Sequence, residues 1–236
     1  MIPTIETFAD AKSWARACAT RLTDGLSASV KARGRAVFAG AGGSTPRPIY
    51  RAMSEAALDW SRIAVTLVDE RYVPESSPDS NARLLKRTLL TGPAAAARFV
   101  PLFHPSITVD RSALIAARAL GAEIGGIDVV LLGMGEDGHI CSMFPGSPTL
   151  ESLLSPHLQP TVLGVPAGRD GAAPSMERLS INLPYLVRAE RVILALTGDA
   201  KRTVFASEAA GDPVTRPIAA LIEAGVPLQV LWTETA

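Results

Sequence analysis

Asp128–Pro145, DVVLLGMGEDGHICSMFP, decides the reading of this chain. Val129–Leu132 is an uninterrupted apolar run with β-branched residues at its head, the pattern of a strand buried on both faces. It changes abruptly to Gly133-Met-Gly-Glu-Asp-Gly-His139. Three glycines there free the backbone for a tight turn, and two carboxylates arrive beside an imidazole. Open α/β sheets place their ligand sites where a buried strand ends in such a loop. His139 is the candidate for chemistry, because imidazole takes and returns a proton near neutral pH. Gly133–Gly138 also fits G-x-G-x-x-G, the dinucleotide fingerprint. That fingerprint must open a long helix, yet Pro145 follows closely, and no acidic residue closes a second strand about 20 positions on.

Working backwards, Thr7 to about Lys31 reads as an amphipathic helix, with Trp14, Cys18, Leu22, Leu26 and Val30 recurring every four residues. Arg35–Ala39 is a short strand that runs into Gly40-Ala-Gly-Gly-Ser-Thr-Pro46, and a helix starts near Pro46. Strand, glycine loop and helix N-terminus together make a nest of N–H groups suited to an anion. Ser44 and Thr45 either cap that helix, add hydroxyls to a bound anion, or do both. No G-x-x-x-x-G-K-[ST] is present, so a small phosphate ester suits the loop better than a nucleoside triphosphate. Ile63–Val68 is a buried strand ending in Asp69-Glu-Arg71-Tyr-Val-Pro74. Those charges either lie at a solvated edge or pair with each other or a ligand, since burying them alone is costly. Ser76–Asn81 caps a helix to about Leu90, Phe99–Phe103 is a short strand, and Asp110–Ile124 is a helix.

Working forwards, Thr161–Val165 reads as a strand and Ala167–Ser175 as a mobile loop. Arg178–Leu183 alternates like a half-buried strand. Arg191–Leu196 is buried and ends in Thr197-Gly-Asp-Ala-Lys201, where a helix to Ala210 begins. Lys201 at a helix start receives no help from the dipole, which hints at a nearby anion. Helix Pro217–Ala224 and strand Leu228–Trp232 complete the chain. Strands alternating with helices predict one α/β domain over residues 1–236 with a mostly parallel sheet. In such a sheet Gly42–Thr45, Asp69–Arg71, Gly135–His139 and Gly198–Lys201 lie along one edge and converge.

Composition narrows the function. Of 236 residues, 47% are hydrophobic and 19% charged, which suits a globular protein with a substantial core. Lys plus Arg and Asp plus Glu number 23 each, so no global field favours nucleic acid or an anionic membrane. Cys18 and Cys141 make no disulfide framework, and the sequence carries no signal-peptide pattern and no membrane-length apolar run; a cytoplasmic protein is expected. G-x-S-x-G and histidines at metal spacing are missing, so neither a serine nucleophile elbow nor a protein-built metal site is offered. Cys141, between Ile140 and Met143, reads as a small buried residue rather than a nucleophile. Acid–base chemistry on a phosphorylated small molecule remains.

Gly42–Pro46 (GGSTP), Asp69–Pro74 (DERYVP) with Ser80-Asn81, Leu132–Gly146 (LGMGEDGH…FPG), Arg178–Asn182 (RLSIN) and Thr197–Lys201 (TGDAK) resemble the 6-phosphogluconolactonase family, in order through nearly the whole chain. The related glucosamine-6-phosphate deaminases typically read D-E-Y and G-D-G-H-I-A-F-N-E-P. Asp69-Glu-Arg-Tyr72 and Cys141-Ser-Met-Phe-Pro145 depart from both of those, and the second lacks the deaminase's extra glutamate. The resemblance implies a three-layer, Rossmann-like fold of the glucosamine-6-phosphate isomerase/ribose-5-phosphate isomerase/CoA-transferase-like kind. It implies hydrolysis of 6-phospho-D-glucono-1,5-lactone in the oxidative pentose phosphate pathway without metal or other cofactor, the sugar-phosphate lactone being the sole partner of a monomer or weak homo-oligomer. It also implies roles: His139 as general base, Asp137 or Asp69 orienting it, and Arg71 on the oxyanion or the phosphate. The 6-phosphate is expected on Gly42, Gly43, Ser44 and Thr45, with Arg178 and Lys201 completing the clamp. A deaminase or a non-catalytic sugar-phosphate sensor is the competing expectation.

Overall fold

The computed structural model describes residues 1–168 and 174–235, so the centre of the loop read at 167–175 lies outside the described residues. The strands are β1 (Ile5–Phe8), β2 (Ala36–Gly40), β3 (Ile63–Leu67), β4 (Asp69–Arg71), β5 (Arg98–Phe99), β6 (Val129–Leu132), β7 (Val162–Val165), β8 (Arg178–Ile181), β9 (Arg191–Thr197) and β10 (Leu228–Thr233). The α-helices are α1 (Ala11–Arg33), α2 (Arg47–Ser54), α3 (Asn81–Thr88), α4 (Val109–Glu123), α5 (Leu150–Leu154), α6 (Leu183–Val187), α7 (Asp199–Ala209) and α8 (Pro217–Glu223). Seven strands form a parallel sheet in the order β1-β10-β9-β6-β2-β3-β5. Strands β2, β3 and β6 are buried along their whole length, as expected for a sheet covered by helices on both faces. The α/β, mostly parallel reading holds.

Chain order steps one way from β2 to β3 and the other way from β6 to β9, so the reversal lies between neighbouring β2 and β6. Their carboxyl ends carry the Gly42–Thr45 and Gly133–His139 loops. This is the crevice where such sheets accept ligands.

Three features depart from the sequence reading. First, the N-terminal helix starts at Ala11, not Thr7, because the Asp10 side chain accepts the Ser13 N–H at 2.8 Å and caps it. Residues 5–8 instead extend the sheet along β10 as edge strand β1. Second, Asp69–Arg71 and Arg178–Ile181 do not sit in the main sheet. They pair antiparallel, with β7 beyond, in a separate three-stranded sheet β4-β8-β7. That placement buries β8 from Leu179 to Ile181 rather than exposing one face. Third, α5 and α6 form where no helix is read: α5 in a stretch without helical period, and α6 from Leu183, where the expected strand from Arg178 has already ended at Ile181.

Candidate active site

Gly42, Gly43, Ser44, Thr45, Asp69, Arg71, His139, Arg178 and Lys201 line one cavity of about 220 Å³. Of the site residues read from the sequence, only Asp137 is not on its wall. Asp137 stands behind His139, its Oδ1 2.5 Å from His139 Nδ1. The same oxygen accepts the His139 backbone N–H at 3.2 Å. Burial pushes the Asp137 carboxyl up, but its bonds to His139 and that residue's charge outweigh burial and hold it below the ordinary carboxylate value. With Nδ1 engaged by a carboxylate, the tautomer assigned to neutral His139 carries its proton on Nδ1 and leaves Nε2 as the acceptor.

Gly138 completes the turn that carries this pair. Its φ of 84° is in the left-handed region, and a Cβ there would run into the side chain of Glu208 on α7. Glu208 is buried, with Oε1 2.8 Å from Arg216 Nη1 and Oε2 without a partner among the described residues. Burial, opposed by Arg216 and reinforced by Asp137, raises its pKa.

Asp69 makes no hydrogen bond or ion pair with His139 among the described residues. Its Oδ2 accepts the Ser142 hydroxyl at 2.7 Å and lies 3.6 Å from Arg178 Nη1. Of the two carboxylates weighed for orienting the imidazole, only Asp137 is bonded to it. Glu70 answers the cost of burying three successive charges. Its fully buried carboxylate accepts the N–H groups of Arg71, Asn81 and Ala82 and the Ser80 hydroxyl, tying β4 to the start of α3.

Asn81, read as part of a helix cap and of the Ser80-Asn81 motif but given no role, is also a wall residue. Its Oδ1 accepts Arg71 Nη1 at 2.5 Å and its Nδ2 donates to the Asp69 carbonyl at 2.9 Å. Gly42 lies so close to this amide that a Cβ would overlap it. The motif flagged the residue, but neither it nor the cap signal says what the side chain holds. Ser142 gave no signal at all.

Three cations line the cavity. Arg71 and Arg178 are direct partners across the β4–β8 ladder, and both face the cavity with Lys201. Arg178 Nε is buried and has no hydrogen-bond partner among the described residues. Burial, opposed by Asp69 and reinforced by Arg71, holds its pKa below the ordinary guanidinium value. Pro46 occupies the N-cap of α2 and no side chain caps that helix. The hydroxyls of Ser44 and Thr45 are therefore not spent on capping. Burial, with the charge of Asp69, pushes the Cys141 thiol well above its ordinary value, which keeps it protonated and a poor nucleophile. Among the described residues no group of three or more His, Cys, Asp or Glu is placed to hold a metal ion, and no helix is long and apolar enough to cross a membrane.

A parallel sheet with a cavity lined by three cations and a carboxylate-held imidazole at its switch point defines an α/β protein suited to a small anionic molecule. Residues 9–232 match the family described as glucosamine-6-phosphate isomerases/6-phosphogluconolactonase, and the chain belongs to that family. A 6-phosphogluconolactonase of Rhizobium meliloti is 40% identical over 95% of this chain and 96% of its own. One of Caulobacter vibrioides is 38% identical over 98% and 97%. The crystal structure of a 6-phosphogluconolactonase from Shewanella baltica superposes with a TM-score of 0.89 at 31% identity, covering 99% of each chain. A monomeric glucosamine-6-phosphate deaminase, at 18% identity and a TM-score of 0.75 over 98% and 97%, shares the fold.

Proposed function

We propose that this chain hydrolyses 6-phospho-D-glucono-1,5-lactone to 6-phospho-D-gluconate, a step of the oxidative pentose phosphate pathway. The observation that carries the reading is one small cavity lined by Arg71, Arg178 and Lys201 together with an imidazole whose Nδ1 is held by Asp137. Near-full-length similarity to proteins named 6-phosphogluconolactonase supports it.

The 6-phosphate binds on the Gly42–Thr45 amides and hydroxyls, with Arg178 and Lys201 as charge-assisted donors and Arg71 beside them. Fixing the phosphate fixes the lactone carbonyl relative to His139. Neutral His139 accepts a proton at Nε2 from a water as that water's oxygen attacks C1, giving a tetrahedral oxyanion and an imidazolium. As the C1–O5 bond breaks, the imidazolium returns its proton to O5, which leaves the open-chain acid and a neutral histidine. Asp137 stabilises the imidazolium between the two transfers. A positioned base of this kind contributes about 10²–10⁴ in rate. The lactone is the only partner this chemistry requires, and the enzyme works as a monomer or weak homo-oligomer in the cytoplasm.

The test is the decay of freshly generated lactone against its spontaneous hydrolysis. Wild type accelerates it and His139→Ala abolishes the acceleration. Ammonia release from glucosamine 6-phosphate, or lactone binding without turnover by the folded wild type, would overturn the reading in favour of the deaminase or the sensor.

A further inference from the structure

Phe144 does not line the cavity, yet it touches two residues that do. Its ring centroid lies 4.3 Å from that of His139 with 32° between the planes. The Arg178 guanidinium carbon lies 5.4 Å from the same ring's centroid. Phe144 is itself buried.

Its place is fixed from elsewhere. The preceding turn closes with the Met143 N–H donating to the Ile140 carbonyl at 2.9 Å. It passes through Cys141 at φ 52°, the one non-glycine residue of positive φ among the described residues. Such a conformation persists only where its surroundings over-determine it. Here Ser142 supplies the restraint: its hydroxyl donates to Asp69 and its N–H to Ser180 Oγ at 3.2 Å. The Ser147 N–H then returns to the Phe144 carbonyl at 3.0 Å. None of these bonds involves His139, so the ring is held independently of the imidazole that rests against it.

We propose that Phe144 is a positioning residue that holds the base and the phosphate clamp at one fixed separation. The inference rests on the reading of His139 as base and Arg178 as phosphate ligand. The negative face of an aromatic ring attracts cations, and His139 becomes a cation only after it has taken the water's proton. The contact is therefore stronger during turnover than in the resting enzyme, which is the condition for lowering the barrier rather than merely binding substrate. The same ring supports a guanidinium that binding needs, so its loss reaches KM through Arg178 as well as kcat through His139.

The experiment measures kcat and KM for the lactone in Phe144→Leu, Phe144→Met and Phe144→Tyr, with His139→Ala alongside. Calorimetry gives Kd for 6-phosphogluconate in Phe144→Leu, Arg178→Met and the double variant. Leu and Met, which have no π face, are expected to lower kcat about 5–30-fold, the size of a desolvated cation–π contact. Tyr, which keeps the face, is expected to restore kcat to within about 3-fold. The binding penalties of Phe144→Leu and Arg178→Met are expected to fall short of additive, because the first acts through the second. Phe144→Met, close in volume, answers if the Leu variant does not fold. Unchanged kcat in Leu and Met, a Tyr variant as slow as they are, or additive binding penalties would each overturn the proposal while a collapsed His139→Ala leaves the function standing. Full activity in His139→Ala would overturn the assignment of the base and this proposal with it.

Discussion

Arg71 and Arg178 stand directly opposite one another in the antiparallel β4–β8 ladder, two cations on the wall of one cavity. Like charges in directly opposed positions destabilise a sheet, and Arg178 keeps a buried Nε with no partner among the described residues. A bound dianion relieves both costs. Inorganic phosphate is therefore expected to raise the Tm of the wild type progressively with concentration, by the mass-action term for a ligand of the native state. Arg178→Met is expected to lose most of that rise and to increase KM for the lactone about 10–100-fold, as for a buried charge-assisted contact. A thermal-shift titration and steady-state kinetics check both.

Asp137 acts on the proton rather than on the substrate. Asp137→Asn is expected to lower kcat about 10–100-fold, as for loss of an orienting partner of a catalytic histidine, with KM nearly unchanged. Its pH sign is definite. Because the native carboxyl titrates below its ordinary value, the unfolded chain binds the proton more readily. The stabilisation is then complete above the unfolded value, about 3.9, and is lost as pH falls through the native one. Below about pH 4 the acid loss of stability should be shallower in Asp137→Asn than in wild type, as urea melts would show.

Glu70 has the opposite sign. Burial raises its pKa against the bonds it accepts, so the folded chain binds the proton more readily. Its contribution to stability is fully present below the unfolded value and declines as pH rises through the native one. Yet Glu70→Gln is expected to destabilise at neutral pH, by about 1–3 kcal/mol. An amide nitrogen cannot accept the N–H groups that the carboxylate now takes from Arg71, Asn81 and Ala82. Chemical denaturation at pH 7 measures the loss.

Gly138→Ala imposes two separate penalties. A left-handed conformation costs an alanine about 1 kcal/mol, and its Cβ meets the Glu208 side chain. Glu208→Ala in the same chain removes the second penalty but not the first. The pair is expected to be less destabilised than the sum of the single changes, with kcat low in both Gly138→Ala variants because the turn carrying Asp137 and His139 has shifted. Paired melts and lactone assays decide it.

The chain sequence by itself determined the buried central strands and the loops that bear the chemistry. Those are local properties: apolar runs at Val129–Leu132 and Ile63–Leu67 are buried wherever they fold, and Gly42–Thr45 and Gly133–His139 break them abruptly. Family motifs then separated the lactonase reading from the deaminase one at Cys141–Pro145. Tertiary structure alone decided which groups meet. Asp69 and Asp137 look equally suited to His139 in sequence. Only Asp137 shares its turn, whereas β4 leaves the main sheet and carries Asp69 to Ser142 and Arg178. The facing of Arg71 and Arg178, the second duty of Asn81 and the placing of Phe144 beneath two cavity residues depend on pairings between distant segments. No periodicity encodes such pairings, because the free energy that selects them comes from burial and hydrogen bonding across the finished fold.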